Sequence, residues 1–171
     1  MKNLNQFWVL LVPAFFLLNG CEPKATVDVN HTTTSEVNMD SVKMQITALE
    51  AAYADASNRN DADGVAAYYA ADAQSYPPNE PAIVGHDAIK ARIRQQMDKD
   101  TSVATMALTT TGVWAAGNYV TETGTWSDMD KDGKVVATGK YMTLFELRDG
   151  KYVAIRDIWN GDALMKMDAM Q

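Results

Sequence analysis

The chain changes its hydrophobic period once, near residue 100, and this change limits the folds that it can adopt. Before that point, apolar residues recur at intervals of three and four, which is the spacing of amphipathic helices. After it, four long segments have strand-like composition and are separated by short turn sequences, which indicates strands joined by hairpins. Helices followed by a run of sequential strands predict an α+β domain with an antiparallel sheet.

The helical part contains three predicted helices and one short strand. The first helix, from about Ser41 to Asn58, presents a single apolar stripe formed by Val42, Ile46, Leu49, Tyr53 and Ala56. Asp40 or Ser41 is expected to cap its start. A short second helix over 62–70 is capped by Asp61, a brief strand over 74–76 stops at two prolines, and a third helix spans about 87–97.

The strand-like part is divided by three turns. Its segments are about Val103–Trp114, Tyr119–Asp128, Val135–Leu147 and Tyr152–Asn160. The breaks between them are Ala116-Gly117-Asn118, Asp130-Lys131-Asp132-Gly133 and Arg148-Asp149-Gly150. Since each break carries residues typical of hairpin turns, neighbouring strands are predicted to pair in sequence order.

The start of the chain is similar to the signal peptide of a bacterial lipoprotein. Lys2 precedes an apolar run from Phe7 to Leu18, which is short for a membrane span and interrupted by Pro13, and the run ends in Leu18-Asn19-Gly20-Cys21. The resemblance implies that residues 1–20 are removed and that Cys21 carries lipid. Residues 21–39 are polar and predict a flexible tether, followed by one domain over 40–171. The expected location is the cell envelope, with the outer membrane favoured over the inner membrane.

The charge and the composition exclude several classes of partner. The net charge is −7, and removal of residues 1–20 takes away Lys2 alone, which makes it −8. An acidic surface without a basic stripe argues against nucleic acid. His31 and His86 are the only histidines, so a histidine-based metal site is not expected. No cofactor is predicted.

Five short motifs occur in a fixed order along the domain. They are Leu49-Glu50-Ala51-Ala52-Tyr53, Asn60-Asp61-Ala62-Asp63-Gly64, Tyr69-Ala70-Ala71-Asp72-Ala73, Gly85-His86-Asp87-Ala88-Ile89, and Asp149-Gly150-Lys151-Tyr152 with Arg156-Asp157-Ile158-Trp159-Asn160. This order resembles the nuclear transport factor 2-like superfamily, in its SnoaL-like and ketosteroid-isomerase-like branch, over about Ser41 to Asp162. The resemblance implies a cone in which four long strands and a short one wrap around three helices. It does not name an activity, because this fold hosts enzymes, binding domains and assembly domains.

The resemblance also implies a pocket. Tyr53 matches the hydrogen-bond donor of the ketosteroid isomerases, which also need a carboxylate base and an acidic oxyanion donor. The base position falls on Pro77, beside Tyr76, and the acid position falls near Thr143. Neither is a carboxylate, so steroid isomerisation is not expected. Tyr53, Tyr76 and Thr143 remain predicted pocket residues.

Three further pocket residues are predicted on the long strands. If the last strand is regular, Arg156 and Asn160 share one face and Asp157 lies on the other. The resemblance implies that Arg156 and Asn160 line the cavity. Glu122 is a pocket candidate because it alternates with Trp126, and an acid in an apolar pocket can act as a base. Tyr53, Glu122 and Asp157 are therefore the candidate catalytic groups, while cross-strand ion pairs are the alternative for the charged ones.

An acidic turn copies half of a calcium-binding loop. Asp128, Asp130, Asp132 and Gly133 follow the pattern, but the position that should supply a bidentate acid is Gly139. A solvated hairpin turn is preferred, with a calcium site as the alternative.

Three functions fit these observations. The first is an envelope-anchored domain that binds a small apolar molecule in its cavity. The second is an enzyme that acts on a small organic substrate by proton transfer or hydration. The third is a dimerisation or protein-interaction module, in which Trp114 and Trp126 would lie on the outer face of the sheet. A buried carboxylate in the cavity would favour the enzyme, and an apolar cavity without one would favour binding.

Overall fold

The computed structural model describes residues 38–99 and 103–162. Its elements are α1 (Met39–Asn58), α2 (Ala62–Ala66), β1 (Tyr69–Tyr76), β2 (Ile83–Val84), α3 (His86–Lys99), β3 (Thr105–Ala116), β4 (Tyr119–Met129), β5 (Val135–Arg148) and β6 (Lys151–Gly161). The predicted α+β order is confirmed, and β2 is an additional short strand. Predictions for the signal peptide, for Cys21 and for the tether up to residue 37 lie outside the described residues. No helix in the described ranges is long and apolar enough to span a membrane.

The helices begin at side-chain caps. Asn38 caps α1, because its side chain accepts a hydrogen bond from the backbone of Ser41 at 3.1 Å, so the cap lies before the predicted Asp40 or Ser41. Asp61 caps α2 as predicted and accepts from Gly64 at 2.9 Å. α2 ends at Ala66, four residues earlier than its spacing predicts, because the chain enters β1 at Tyr69, where it pairs with β6.

The strands form one curved, open sheet in the order β2-β1-β6-β5-β4-β3. The three hairpins from β3 to β6 are antiparallel as predicted, and β2 pairs antiparallel with β1. β1 and β6, however, run parallel, which makes the sheet mixed. No hairpin joins these two strands, so turn chemistry does not set their relative direction.

A β-bulge interrupts β6. Phe145 pairs with Ala154 and Leu144 pairs with Arg156, so Ile155 has no residue opposite it. An extra residue in one strand reverses the alternation of its side chains beyond that point. Tyr152 and Ala154 are therefore buried on the inner face before the bulge, and Asp157 is buried there after it.

The apolar core fills one end of the cone, near the β3–β4 hairpin. Its fully buried members include Ile46 from α1, Val120 from β4 and Phe145 from β5. Farther along the same strands the inner face becomes polar and then aromatic. The core thus holds the helices against one end of the sheet, while the other end has room for a cavity.

Candidate ligand-binding cavity

A cavity of about 140 Å³ lies between the helices and the inner face of the sheet. Six aromatic residues contribute to its walls: Tyr53, Tyr68, Tyr69, Trp126, Tyr141 and Trp159. Tyr53 and Tyr68 meet edge to face with ring centroids 5.0 Å apart, and Trp126 and Trp159 meet in the same way at 6.2 Å. Such contacts are favourable for aromatic pairs and fix the orientation of the rings.

Two glycines on the inner face allow these rings to lie across the sheet. Gly124 pairs with Tyr141, and a Cβ atom at Gly124 would lie within 2.4 Å of three atoms of the tyrosine side chain. Gly139 pairs with Trp126, and a Cβ there would lie 2.3 Å from the indole ring and 2.1 Å from a backbone oxygen. Each glycine therefore gives its neighbour the space in which an aromatic ring covers the backbone.

A row of polar residues crosses the sheet where the core ends. Glu122 pairs with Thr143, Thr143 with Asp157, and Asp157 with Ser75. All four are buried, although polar and charged side chains are seldom fully buried without partners. The row forms the floor between the apolar core and the cavity.

Asp157 is the carboxylate of this row that lines the cavity. Its Oδ2 accepts a hydrogen bond from the hydroxyl of Tyr69 at 3.1 Å, and Ser75 also donates to the carboxylate. The hydroxyl of Tyr53 interacts in turn with that of Tyr69. Oδ1 of Asp157 is buried and has no hydrogen-bond partner among the described residues. Burial raises the pKa of Asp157, and the bonds from Ser75 and Tyr69 oppose this increase.

Glu50 and Glu122 form a second buried acidic pair. Glu50 projects from α1 and accepts a hydrogen bond from Tyr68, while Oε1 of Glu122 accepts from Thr110 at 2.6 Å and from Tyr141 at 3.1 Å. Burial, a hydrogen bond to Glu122 and the charge of Glu122 raise the pKa of Glu50 to about 9. At neutral pH Glu50 therefore keeps its proton.

The structure places the predicted site residues on the cavity wall, in the interior beside it, or on the outer face of the sheet. Tyr53, Thr143 and Asp157 line the cavity. Glu122 is fully buried beside it, behind Tyr141, and is not part of the wall.

Tyr76, Arg156 and Asn160 lie on the outer face of the sheet and do not line the cavity, which corrects their prediction as pocket residues. The bulge at Ile155 explains why Arg156 and Asn160 lie on the outer face. It reverses the alternation of side chains, so Asp157 and Trp159 point inward instead. Tyr76 follows the inward Ser75 in β1 and pairs with the exposed Ile158.

The acidic turn does not gather its carboxylates. Oδ1 of Asp130 accepts from the backbone of Asp132 at 2.9 Å and of Lys134 at 3.0 Å, whereas Asp128 lies on the inner face and lines the cavity. Within residues 38–99 and 103–162, no group of three acidic, histidine or cysteine side chains could hold a metal ion.

Several site residues are not predicted from the sequence. The burial of Glu50 is the easiest of these to predict, because Glu50 follows Ile46 by four positions and thus falls on the buried stripe of α1. Tyr141 and Trp126 each pair with a glycine, but this signal becomes visible only when the register is known.

Comparisons with known proteins agree with this architecture. Residues 50–155 match the SnoaL-like domain family. No curated protein matches the sequence significantly. Among solved structures, the chain is similar to a ketosteroid isomerase-like protein from Erwinia carotovora atroseptica, with 23% identity, a TM-score of 0.59 and coverage of 71% of this chain and 96% of that one.

Two further structures are similar to the chain, and both are NTF2-like proteins of unknown function. The one from Shewanella oneidensis has 19% identity and a TM-score of 0.60, with coverage of 69% of this chain and 98% of that one. The one from Pseudomonas putida has 17% identity and a TM-score of 0.62, with coverage of 76% and 93%. At these identities the likeness shows a shared fold, and the chemistry has to be argued from the cavity itself.

Proposed function

The chain belongs to the SnoaL-like domain family, and from that premise we propose that its cavity binds a small organic molecule with about the dimensions of one aromatic ring. The volume of about 140 Å³ supports this size. An engineered protein cavity of about 150 Å³ takes up benzene. Aromatic walls, together with a few polar groups, are typical of small-molecule sites.

One observation carries the proposal: two polar groups at the cavity have no partner in the described part of the chain. They are Oδ1 of Asp157, which can accept a hydrogen bond, and Nε1 of Trp126, which can donate one. Leaving a buried polar group unsatisfied costs about 1–3 kcal/mol. A ligand that offers both a donor and an acceptor would satisfy both groups and recover this free energy.

The experiment is a binding screen of the domain over residues 38–171 by thermal shift and calorimetry. Single-ring compounds that carry a donor and an acceptor should raise the melting temperature by mass action. Trp126→Phe keeps an aromatic wall but removes the donor, so it should weaken binding by about tenfold. Trp114→Phe is the matched control, because this indole lies on the outer face and is 59% exposed. If no single-ring compound stabilises the domain, the proposal fails.

A second candidate function is catalysis of proton transfer, and the buried carboxylates favour it. Burial raises the pKa of Asp157, as suits a general base that works near neutral pH. Glu50 lines the same cavity in its protonated form. Environments that keep one acid protonated while another can accept a proton are typical of acid–base catalysis.

The test of this second function uses a single-ring β,γ-unsaturated ketone in D₂O. Asp157-dependent exchange of its α-hydrogen, followed by NMR, would support catalysis, and Asp157→Asn should lower the rate by a factor of about 10²–10⁴. The much larger Δ5-3-ketosteroids should not react above background. Exchange at the uncatalysed rate in the unmodified domain would exclude this function for that substrate class.

We propose that residues 1–21 bring this domain to the cell envelope, with Cys21 as the lipid attachment site. The motif ending in Gly20-Cys21 supports this assignment. A single acyl chain holds a protein only marginally at a membrane, whereas several hold it stably. The cavity would then take up its ligand outside the cytoplasm, and the outer membrane is the favoured destination.

An apolar row on the outer face of the sheet supports a further proposal, namely that two copies pair there. Tyr76 in β1 pairs with Ile158 in β6, and Ile158 pairs with Met142 in β5. In β3, the ring of Trp114 lies over Gly112 of the same strand. All four large side chains are exposed. Trp126 is not available for this role, which corrects its assignment to the outer face, because it lines the cavity.

A further inference from the structure

The charges around the cavity are strongly unequal. Asp128 and Asp157 line it, Glu50 lines it with its proton in place, and Arg92 is the one basic residue among the described lining residues. Both oxygens of Glu80 bind the guanidinium of Arg92, at 2.9 Å and 2.6 Å, so its charge is already compensated. A ligand in this cavity therefore meets a negative electrostatic environment.

The aromatic side chains of the cavity wall also favour a positively charged ligand. Trp126 and Trp159 line the cavity and pack edge to face at an interplanar angle of 82°. Trp126 lies across the backbone at Gly139, so one face of its indole is covered by the sheet. Trp126 also lines the cavity, so its indole is available to a ligand there. The negative face of an indole attracts a cation more strongly than a tyrosine or phenylalanine ring does.

Asp157 is the third feature of the cavity that favours a positively charged ligand. It is 8% exposed, it lines the cavity, and its Oδ1 has no hydrogen-bond partner in the described ranges. Its known partners are the hydroxyls of Ser75 and Tyr69, which are neutral. A buried carboxylate without a cationic partner is costly, and a charged hydrogen-bond donor compensates it better than a neutral donor.

We propose that the ligand of this cavity is a small organic cation, a primary amine carried by a single apolar ring, whose ammonium group binds Oδ1 of Asp157 beside the indoles of Trp126 and Trp159. The inference rests on the proposed function, because it names the class of molecule that the same cavity binds. It also excludes anions, since a carboxylate would lie beside Asp157 and the other acids. An oxygen atom on the amine could in addition accept from Nε1 of Trp126.

The experiment compares three probes of nearly equal size: benzylamine, benzyl alcohol and benzoate. Calorimetry on the domain at neutral pH should show that benzylamine binds at least about tenfold more tightly than benzyl alcohol, and that benzoate does not bind. Asp157→Asn should reduce benzylamine binding by about tenfold or more and benzyl alcohol binding by less, because an amide oxygen still accepts from a hydroxyl but does not balance a cation. Asp132→Asn removes an exposed carboxylate from the β4–β5 turn and should change neither.

The outcomes separate this inference from the proposed function. If benzyl alcohol binds as tightly as benzylamine, or if benzoate binds best, the cation assignment is overturned while small-molecule binding stands. If none of the three binds the unmodified domain, the cation assignment is overturned, and the screen of single-ring compounds decides separately whether small-molecule binding stands. The comparison of probes needs no variant, so a failure of Asp157→Asn to fold does not weaken the test.

Discussion

The carboxyl groups of Glu50 on α1 and Glu122 on β4 interact in the interior of the cone, where burial and the neighbouring Glu122 keep a proton on Glu50. Tyr68 donates to the first, and Thr110 and Tyr141 donate to the second. This pair links the first helix to the middle of the sheet at the base of the cavity. Because the link depends on a proton, its strength depends on pH.

The first prediction concerns this dependence. The folded state keeps a proton on Glu50 up to about pH 9, whereas the ordinary pKa is 4.5. The contribution of this proton to stability is thus fully present below 4.5 and is lost as pH rises toward 9, with a slope of at most about 1.4 kcal/mol per pH unit. Glu50→Gln cannot titrate, so its free energy of unfolding should fall less over this range than that of the unmodified domain.

Urea unfolding at about pH 5, 7 and 9 measures the two slopes. Asp132→Asn is the control and should follow the unmodified domain, since this carboxyl is exposed in a turn. Parallel curves for Glu50→Gln and the unmodified domain would show that the buried proton is not there.

The second prediction concerns the glycine beneath Trp126. In Gly139→Ala, the new methyl group would meet both the indole and the backbone oxygen of Asn160 at 2.1 Å. Overpacking of this kind destabilises by about 1–3 kcal/mol, and displacement of the indole should also weaken ligand binding. Gly161→Ala is the matched control, because its nearest neighbour would be 3.7 Å away. Equal stability of the two variants would contradict the close packing at position 139.

The third prediction concerns the outer face. A lysine in place of Met142 or Ile158 puts a charge in the centre of the exposed apolar row and should convert a dimer into a monomer. Light scattering after size-exclusion chromatography measures the mass. Met44→Lys changes an exposed methionine on α1 and should leave the mass unaltered. A monomeric unmodified domain at high micromolar concentration would refute the dimer.

The fourth prediction concerns the start of the chain. The thiol of Cys21 is the group that accepts lipid in the proposed processing, and the sequence holds one cysteine. Cys21→Ser should therefore abolish incorporation of a fatty-acid analogue and leave the precursor uncut at Gly20. Labelling of the serine variant to the level of the unmodified chain would show that attachment occurs elsewhere.

Much of the fold follows from local patterns. The stripe of α1, the cap at Asp61 and the three hairpin turns are each determined by residues close together in sequence, and they predict the observed elements to within a few residues. The parallel pairing of β1 with β6 has no such signal, because it joins segments that are far apart in the chain.

The site was harder to predict for a related reason. Strict alternation in β6 assigns Arg156 and Asn160 to the cavity, and one unpaired residue, Ile155, reverses that assignment in favour of Asp157 and Trp159. A bulge depends on the register with the neighbouring strand, which the sequence of β6 does not reveal. Glu50 shows a different difficulty, since a charge on an apolar stripe becomes interpretable only when its partner Glu122 is known.

The parallel pairing of β1 and β6 also has a consequence for the time at which the cavity can form. Asp157, the carboxylate of the cavity wall, lies on the last strand, and the same strand holds β1 in the sheet through pairs such as Ser75 with Asp157. Until the ribosome has released β6, β1 has no neighbouring strand on the side where β6 pairs with it. The binding site also lacks Asp157 until then. Since long-range pairing of this kind forms slowly, completion of the last strand should set the pace of maturation. A chain that ends before β6 would then lose fold and function together.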